Sequence, residues 1–290
     1  MHTIEFLTNP ALASLFWPGV LTAILIAIVG GSLSWLVVVK RLSFIGQGIS
    51  HSAFGGVGLA LVLGLGGATT GASLASLLVV LAFAIASAIG ISALTDKRYA
   101  NSDVAIGIVL SITMALGFLL HHRAQLIASA AGRFPPPSLE QVLFGSITTI
   151  GWADFATAAL ASLAVLGVTW WYRRAIIFWM FDESTAPAFG VPADRIRVLV
   201  LILLATVVVV TMKLAGVVLA TAVLVLPAAA AMKLSLRLGI VIVWSITLTL
   251  VAAMVGLVAA FEFDIQPGPA IVLALGVAYG LAHFFGPARG

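Results

Sequence analysis

Residues 198–232 read VLVLILLATVVVVTMKLAGVVLATAVLVLPAAAAM, with Lys213 as the one charged side chain. About 20 apolar residues are enough for a helix to cross the hydrocarbon core of a membrane. This run is long enough for two crossings, and a break near Gly216 would separate spans at 195–212 and 215–233. The stretch therefore predicts an all-α fold, a polytopic bundle of transmembrane helices.

The composition of the whole chain supports the same class. Of its 290 residues, 62% are hydrophobic and 8% are charged, whereas soluble domains have about 45–50% and about 25%. Too few charges remain to cover a water-facing surface, which argues against soluble enzymes. The absence of cysteine excludes disulfides and thiolate metal sites. We attribute the net charge of +4 to basic residues at a membrane surface and expect no nucleic-acid partner.

Long apolar segments and basic residues together predict a topology. We expect nine spans, at roughly 12–39, 44–65, 71–95, 102–121, 152–172, 195–212, 215–233, 238–260 and 268–286. An N-terminus outside the cell then places eleven basic residues on the cytoplasmic side and three outside, which satisfies the positive-inside rule. Eight spans with one re-entrant segment remain an alternative. Residues 1–290 are expected to form one transmembrane domain.

The second span, FIGQGISHSAFGG over residues 44–56, is the exception in an interior that is otherwise poor in polar side chains, because it carries both an amide and an imidazole. Gln47 and His51 are four residues apart and therefore share one helix face, and Ser50 adds a hydroxyl beside them. Neutral imidazole is a common ligand of zinc, manganese and iron. Two interpretations stay open: Gln47, Ser50 and His51 line a metal path, or the His–Gln pair is a contact between helices.

A second set of small residues on the same span predicts helix packing. Gly48, Ser52 and Gly56 recur at four-residue steps, and such a ladder allows a neighbouring helix to approach closely.

The acidic residues narrow the choice of mechanism. All ten fall in predicted loops or at span edges, whereas carriers driven by protons or sodium usually need buried carboxylates. The chain also has no G-x-x-x-x-G-K-[ST] motif for ATP. Transport against a gradient would therefore need energy from another chain.

Two long connections carry further candidates. In 122–151 we expect an external loop in which His121 and His122 are solvated, with a part in metal capture as the alternative, and a short interfacial or re-entrant helix near Val142–Gly145. In 173–194 we expect a short amphipathic helix that starts near Asp182 and ends at Gly190. A surface loop without a partner is the alternative there.

Five motifs in order resemble the permease subunits of manganese/zinc/iron-type (ABC-3 family) ABC transporters. The segments that carry the resemblance are RLSFIGQGISH at 41–51, DVAIGI at 103–108, LFGSI at 143–147, MKLAGVVL at 212–219 continuing to LPAAA at 226–230, and DIQPGP at 264–269. The resemblance covers almost the whole chain.

The resemblance implies a multi-pass permease of the bacterial inner membrane that dimerises around a central path. It implies a cytoplasmic ABC ATPase as partner, so that the chain itself is not an enzyme, and a periplasmic or lipoprotein metal-binding protein. The transported ion would be zinc or manganese, with iron third, and no cofactor would be bound tightly. The segment 176–192 would be the coupling segment, with Asp182, Glu183, Ala186 and Gly190 facing the ATPase.

The chain departs from the family pattern at the second span. Many members carry Asp where this chain has Gln47, four residues before His51. An amide does not offset the charge of a divalent ion, so weaker binding is expected. An ATP-independent metal channel or carrier is the alternative function.

Overall fold

The computed structural model describes residues 10–65, 70–96, 102–132, 135–145 and 150–286, and this part of the chain is all-helical, as predicted. The helices are α1 (Pro10–Val39), α2 (Ser43–Val62), α3 (Thr70–Asp96), α4 (Ser102–Ala130), α5 (Leu139–Phe144), α6 (Trp152–Trp171), α7 (Arg173–Phe181), α8 (Ala193–Leu234), α9 (Leu238–Phe263) and α10 (Pro267–Phe285). One 3₁₀ turn, Ala186–Phe189, lies between α7 and α8.

Within the described ranges, seven helices are long and apolar enough to cross a membrane, namely α1, α3, α4, α6, α8, α9 and α10. Helix α2 has the length, at 20 residues, but its five glycines and its polar side chains make it less apolar. The count of nine spans and the external N-terminus stay predictions.

Helix α8 is the centre of the bundle. In its apolar window 72% of the residues are buried, against 22–33% in α3, α4, α6, α9 and α10. Helix α1, at 67%, is the other central element. Because the outer helices expose most of their apolar side chains, they form the surface that suits lipid.

The predicted break in α8 is confirmed at Gly216, whose φ of 88° and ψ of 163° are not helical. A straight helix of 42 residues would be about 63 Å long, roughly twice the hydrocarbon thickness of a bilayer. The break therefore divides α8 into two segments, 193–215 and 217–234.

Contacts with α2 show how sharp the bend is. Leu201 and Leu224 would lie about 34 Å apart on a straight helix. Both nevertheless lie near the first turn of α2, since Leu201 lines a cavity with Ile45 and the side chain of Leu224 lies 3.9 Å from the Cβ position of Gly46. The chain therefore changes direction strongly at Gly216.

Three glycines allow the backbone of α5 to enter the bend. Gly145 and Gly216 both have positive φ, at 74° and 88°. A Cβ on Gly145 would overlap the backbone of Ala215, and one on Gly216 or Gly268 would overlap that of Phe144. We call Gly145, Gly216 and Gly268 the glycine junction. Since only glycine lacks a Cβ, no other residue fits these contacts without movement.

The short helix expected in the 122–151 connection is confirmed as α5, which lies one turn earlier than predicted. Ser138 caps it. The Ser138 Oγ accepts a hydrogen bond from the backbone N–H of Gln141, and the Gln141 side chain accepts one from the backbone N–H of Ser138. At the same end of the bundle, Gln266 donates to Glu140 at 2.8 Å. These contacts fix α5 across the bend in α8.

The expectation that His121 and His122 lie in a solvated external loop is wrong. Both lie inside α4, which continues to Ala130 and ends before Gly132, a residue with a φ of 61°. His121 is 2% exposed, whereas His122 is exposed. The helix continues beyond the apolar stretch because no breaker precedes Gly132.

We predict that Gly216→Ala destabilises the fold by about 2 kcal/mol or more, because it combines a strained φ with overlap against the α5 backbone. The control is Gly276→Ala, at a helical glycine of α10 with nothing within 4 Å of its Cβ position. This control should be neutral or slightly stabilising. Thermal unfolding of both variants in detergent measures the difference, and equal midpoints would contradict the assigned role of the junction.

Candidate functional site: helix α2 and the basic end

Helix α2 starts from a tight connection to α1. Arg41 takes a left-handed conformation, with a φ of 56°, and the N–H of Leu42 donates to the carbonyl of Val37 at 2.8 Å. Only three residues, 40–42, separate the two helices. We call the end of the bundle that holds Lys40, Glu183 and Arg197 the basic end.

One side of α2 is a packing surface. Cβ positions on Gly48 and Gly56 lie 3.1 Å from Ile91 and 2.9 Å from Val80, which both belong to α3. Side chains at these positions would push α3 away. Gly48 and Gly56 thus allow the close approach of a neighbouring helix that the small-residue ladder predicted, and that helix is α3.

The same surface continues onto α4. Ser52 accepts a hydrogen bond from Thr113 Oγ1 at 2.9 Å. Gly55, which the sequence places on the face of Gln47 and His51, is instead covered by Phe83 and by the Thr113 carbonyl. The polar face of α2 therefore ends at His51.

Gln47 and His51 lie on the outer side of the protomer. Gln47 is exposed and His51 is half-buried. The Nδ1 atom of His51 is buried and has no hydrogen-bond partner among the described residues. His51 and Gln47 thus place an imidazole ring and a side-chain amide one helical turn apart on the same face.

Ser50 lies away from that face. It is 0% exposed, and its Oγ also has no hydrogen-bond partner within the described ranges. Gly46, one turn before it on the same side, faces Leu224 of α8. The structure therefore brings two of the three predicted path residues together and places Ser50 inside the protomer.

His121 is a second buried imidazole, near the opposite end of α2. Its ring stacks over Phe54 with centroids 6.5 Å apart, and its Nε2 lies 3.3 Å from the side-chain amide of Gln125. The Nδ1 atom is buried without a partner in the described structure. The ring is held by packing on α2 rather than by solvent.

The donor set allows only loose metal binding. The described residues contain no group of three or more His, Asp or Glu side chains arranged around one point. One imidazole and one amide per chain make an incomplete and uncharged coordination sphere. Such a pair suits an ion that must bind and leave quickly.

Ion pairs organise the basic end. Glu183 accepts from Lys40 Nζ at 2.7 Å and from Arg197 Nη2 at 2.6 Å. Lys40 also lies 4.2 Å from the ring centroid of Trp179. Because Lys40 directly follows α1 and Arg197 lies near the start of α8, Glu183 joins three separate parts of the chain.

The environment of Glu183 shifts its acidity. Burial acts to raise the pKa of this carboxyl, but hydrogen bonds from Lys40 and Arg197 and their positive charges outweigh it, so the pKa lies below its ordinary value. The carboxylate is therefore charged at neutral pH and stabilises the folded state.

The predicted amphipathic helix is only partly present. Ile176 and Trp179 belong to α7, and a single 3₁₀ turn, Ala186–Phe189, replaces a regular helix. The carboxylate of Asp182 accepts hydrogen bonds from Ser184 and from the backbone of Thr185. These bonds close a turn and lower the pKa of Asp182.

The predicted coupling residues differ in exposure. Asp182 and Gly190 are exposed, and Gly190 ends the turn in the left-handed conformation with a φ of 77°. Glu183 is half-buried in its ion pairs, and Ala186 is 0% exposed. The side chain of Ala186 therefore packs inside the segment, where it has no surface for a partner.

Two exposed aromatic residues of this segment were not among the predicted coupling residues. Phe181 is 69% exposed and Phe189 is 72% exposed. Phe189 is held by the ring of Phe178, with centroids 5.4 Å apart. The sequence did contain a signal for them, since Phe181 directly precedes the polar turn at Asp182 and Phe189 directly precedes Gly190. Exposed aromatics of this kind are frequent anchors of protein interfaces.

We predict that Glu183→Gln destabilises the protein by about 1 kcal/mol at pH 7. Since the pKa of Glu183 is lower in the folded state than its ordinary value of 4.5, its stabilisation is complete above that pH. It is lost as the pH falls through the folded-state pKa. The wild type and the variant should therefore converge in acid.

Thermal unfolding in detergent at neutral and acid pH measures this difference. Glu140→Gln is the control, because Glu140 bonds a neutral amide at the opposite end. A gap between the wild type and Glu183→Gln that stays constant with pH would contradict the role of the ion pairs.

Comparison with known proteins identifies the family. Residues 13–286 match the profile of the ABC 3 transport family. The chain is 27% identical over 273 residues to the manganese transport system membrane protein MntC of Listeria monocytogenes, covering 93% of this chain and 90% of that protein. It is 30% identical over 257 residues to a probable metal transport system membrane protein of Thermotoga maritima, covering 88% and 84%.

A solved structure has the same fold. The chain superposes on one from PsaBC of Streptococcus pneumoniae in complex with Fab, with a TM-score of 0.82 and 27% identity, over 99% of this chain and 95% of that one. Together with the seven apolar helices, the match over residues 13–286 shows that the chain is a multi-pass bacterial membrane protein that belongs to the ABC 3 transport family.

Proposed function

We propose that the chain is the permease subunit of an ATP-driven importer for a divalent transition metal ion, with manganese as the leading cargo. The observation that carries the proposal is the face of Gln47 and His51, which presents neutral side chains of ligand type on the outer side of the protomer. The manganese transport relative named above supports the choice of ion.

The path would lie between two copies of the chain. A ligand face on the outside of one protomer is open to its surroundings, and a charged ion cannot cross lipid there. A second copy related by a two-fold axis would place its own Gln47 and His51 opposite the first pair. The homodimer would thus complete a coordination sphere that one chain lacks.

Manganese fits this donor set better than the alternatives. Zinc binds nitrogen ligands more tightly than manganese does, and a tightly held ion leaves a path slowly. Gln47 supplies an amide oxygen, a donor type that suits manganese. Zinc is the second candidate cargo, and iron is the third.

Energy would come from a separate ATPase subunit bound at the basic end. The positive-inside rule would put that end in the cytoplasm. Phe181, Asp182, Phe189 and Gly190 form its exposed surface, and Glu183 ties the segment to Lys40. A displacement of the segment would then reach α2 within the three residues 40–42.

A metal-binding protein on the opposite side would deliver the ion. The glycine junction lies at that end, where α5 closes over the bend in α8. Two packings of such a junction would allow access to alternate between the two sides.

We predict that His51→Ala abolishes metal uptake, because it removes the nitrogen ligand from each half of the path. Mass spectrometry of cell manganese and zinc under metal limitation measures uptake, with the chain expressed beside its ATPase and binding protein. His122→Ala is the matched control, since His122 is exposed on α4, and it should transport normally. Normal uptake by His51→Ala at equal membrane abundance would overturn the path.

We predict that Phe189→Ala weakens binding of the ATPase by about tenfold or more, as expected when an anchor residue is lost. Phe263→Ala is the control, because Phe263 is 75% exposed at the far end of α9. Pull-down of the ATPase from detergent extracts measures both. Equal recovery with the two variants would contradict docking on the 176–192 segment.

A further inference from the structure

The connection between α6 and α7 carries an exposed cluster of aromatic and basic side chains. Its sequence is WWYRR over residues 170–174, and all five residues are exposed. We call residues 170–174 the α6–α7 corner. Helix α7 leads from this corner to Trp179, whose ring lies against Lys40. The corner therefore lies at the basic end, outside the 176–192 segment and apart from the face of Gln47 and His51.

The position of the corner along α6 matches the boundary of a membrane. Helix α6 has Trp152 in its first turn and Trp170 in its last, and both are exposed. An α-helix rises about 27 Å between these two positions. The hydrocarbon core of a bilayer is about 30 Å thick, and tryptophan is enriched at both of its boundaries. Arg173 and Arg174, directly beyond Trp170, therefore lie at the depth of the phospholipid headgroups.

The face of α6 that leads to the corner is apolar and exposed. Leu160 and Leu163 lie on it, and Trp170 follows Leu163 by two helical turns, so these side chains share one side of the helix. An exposed apolar face on a membrane-spanning helix suits lipid chains. Phospholipid chains that pack on this face would place their headgroup beside the two arginines.

Arg173 is oriented by Trp170. Its guanidinium lies 4.2 Å from the centroid of the Trp170 ring, and its Nη1 donates a hydrogen bond to the Trp170 carbonyl at 2.9 Å. A guanidinium carries more N–H donors than these contacts use, and the side chain is exposed. A planar, stacked guanidinium can bind two oxygens of one phosphate group.

The positive charge of the corner is not neutralised within the described part of the chain. Neither Arg173 nor Arg174 forms an ion pair with a carboxylate there. Asp182, the carboxylate at the end of α7, accepts hydrogen bonds from Ser184 and Thr185 instead. Two unpaired arginines at headgroup depth attract anionic lipid.

We propose that the α6–α7 corner binds the headgroup phosphate of an anionic phospholipid in the leaflet at the basic end. Arg173 holds the phosphate, Arg174 adds a second positive charge, and the exposed face of α6 contacts the acyl chains. Phosphatidylcholine carries a cationic group that offsets its own phosphate, so two unpaired arginines favour a lipid with a net negative charge.

The test uses the full chain in phosphatidylcholine nanodiscs that contain a minority of phosphatidylglycerol. Native mass spectrometry counts the phosphatidylglycerol molecules that stay bound when the protein is released. Arg173→Gln and Arg174→Gln are each expected to lower the retained fraction about fivefold, the effect of one basic residue near a membrane surface. Both side chains are exposed, so the fold should not change.

The matched control is Arg237→Gln. Arg237 is an exposed arginine directly before α9, and it has no stacked ring in the described ranges. This variant should retain phosphatidylglycerol like the wild type. Wild-type retention by the two corner variants would overturn the proposal, and so would an equal loss in Arg237→Gln, which would indicate a diffuse attraction to positive charge.

Two further measurements exclude other occupants of the corner. Displacement of phosphatidylglycerol by added glycerol phosphate would assign the arginines to a soluble phosphate ester and overturn the lipid proposal. Weaker recovery of the ATPase in a pull-down with Arg173→Gln, at unchanged lipid retention, would assign the corner to the ATPase. Lipid binding is the readout, so the result is independent of metal transport.

Discussion

The bend of α8 at Gly216 is the constraint on which the rest of the structure depends. One continuous helix of 42 residues would be far longer than a membrane is thick. The bend allows both segments of α8 to pack in the centre, where α1, α2, α9 and α10 surround them. Backbone of α5 fills the bend, and this contact is possible only because Gly145, Gly216 and Gly268 have no Cβ. The bend at Gly216 therefore accounts both for the packing of α8 in the centre of the bundle and for the closure of one end by α5.

Helix α2 shows how one element serves two purposes. Its glycines bring α3 close enough to hold it firmly, while Gln47 and His51 stay on the outer side. A ligand face needs a rigid support, because an ion responds to small changes in ligand position. At the start of the same helix, the ion pairs of Glu183 connect the surface turn to Lys40. The proposed coupling and the proposed path are thus adjacent in the chain.

Much of the fold could be predicted from residue patterns alone. Apolar runs predicted the helices, and the break at Gly216 was expected because a 35-residue run, 198–232, exceeds one span. Two local expectations were less successful. His121 was expected in a loop, but α4 continues to Ala130, because no helix-breaking residue follows its apolar stretch before Gly132. Residues 186–189 form one 3₁₀ turn, because the bonds of Asp182 close a turn before a regular helix can begin.

The sequence by itself determined the class of the protein, because apolar content and helical spacing are local properties that need no tertiary contact. It also indicated His51 and Gln47, since amide and imidazole side chains are rare inside the predicted spans. Only the tertiary structure decided which faces are covered. Ser50 is enclosed and Gln47 is open, although both lie within one turn of the same helix. The partners of Glu183, at positions 40 and 197, are likewise distant in sequence, and a pattern along the chain carries no information about such contacts.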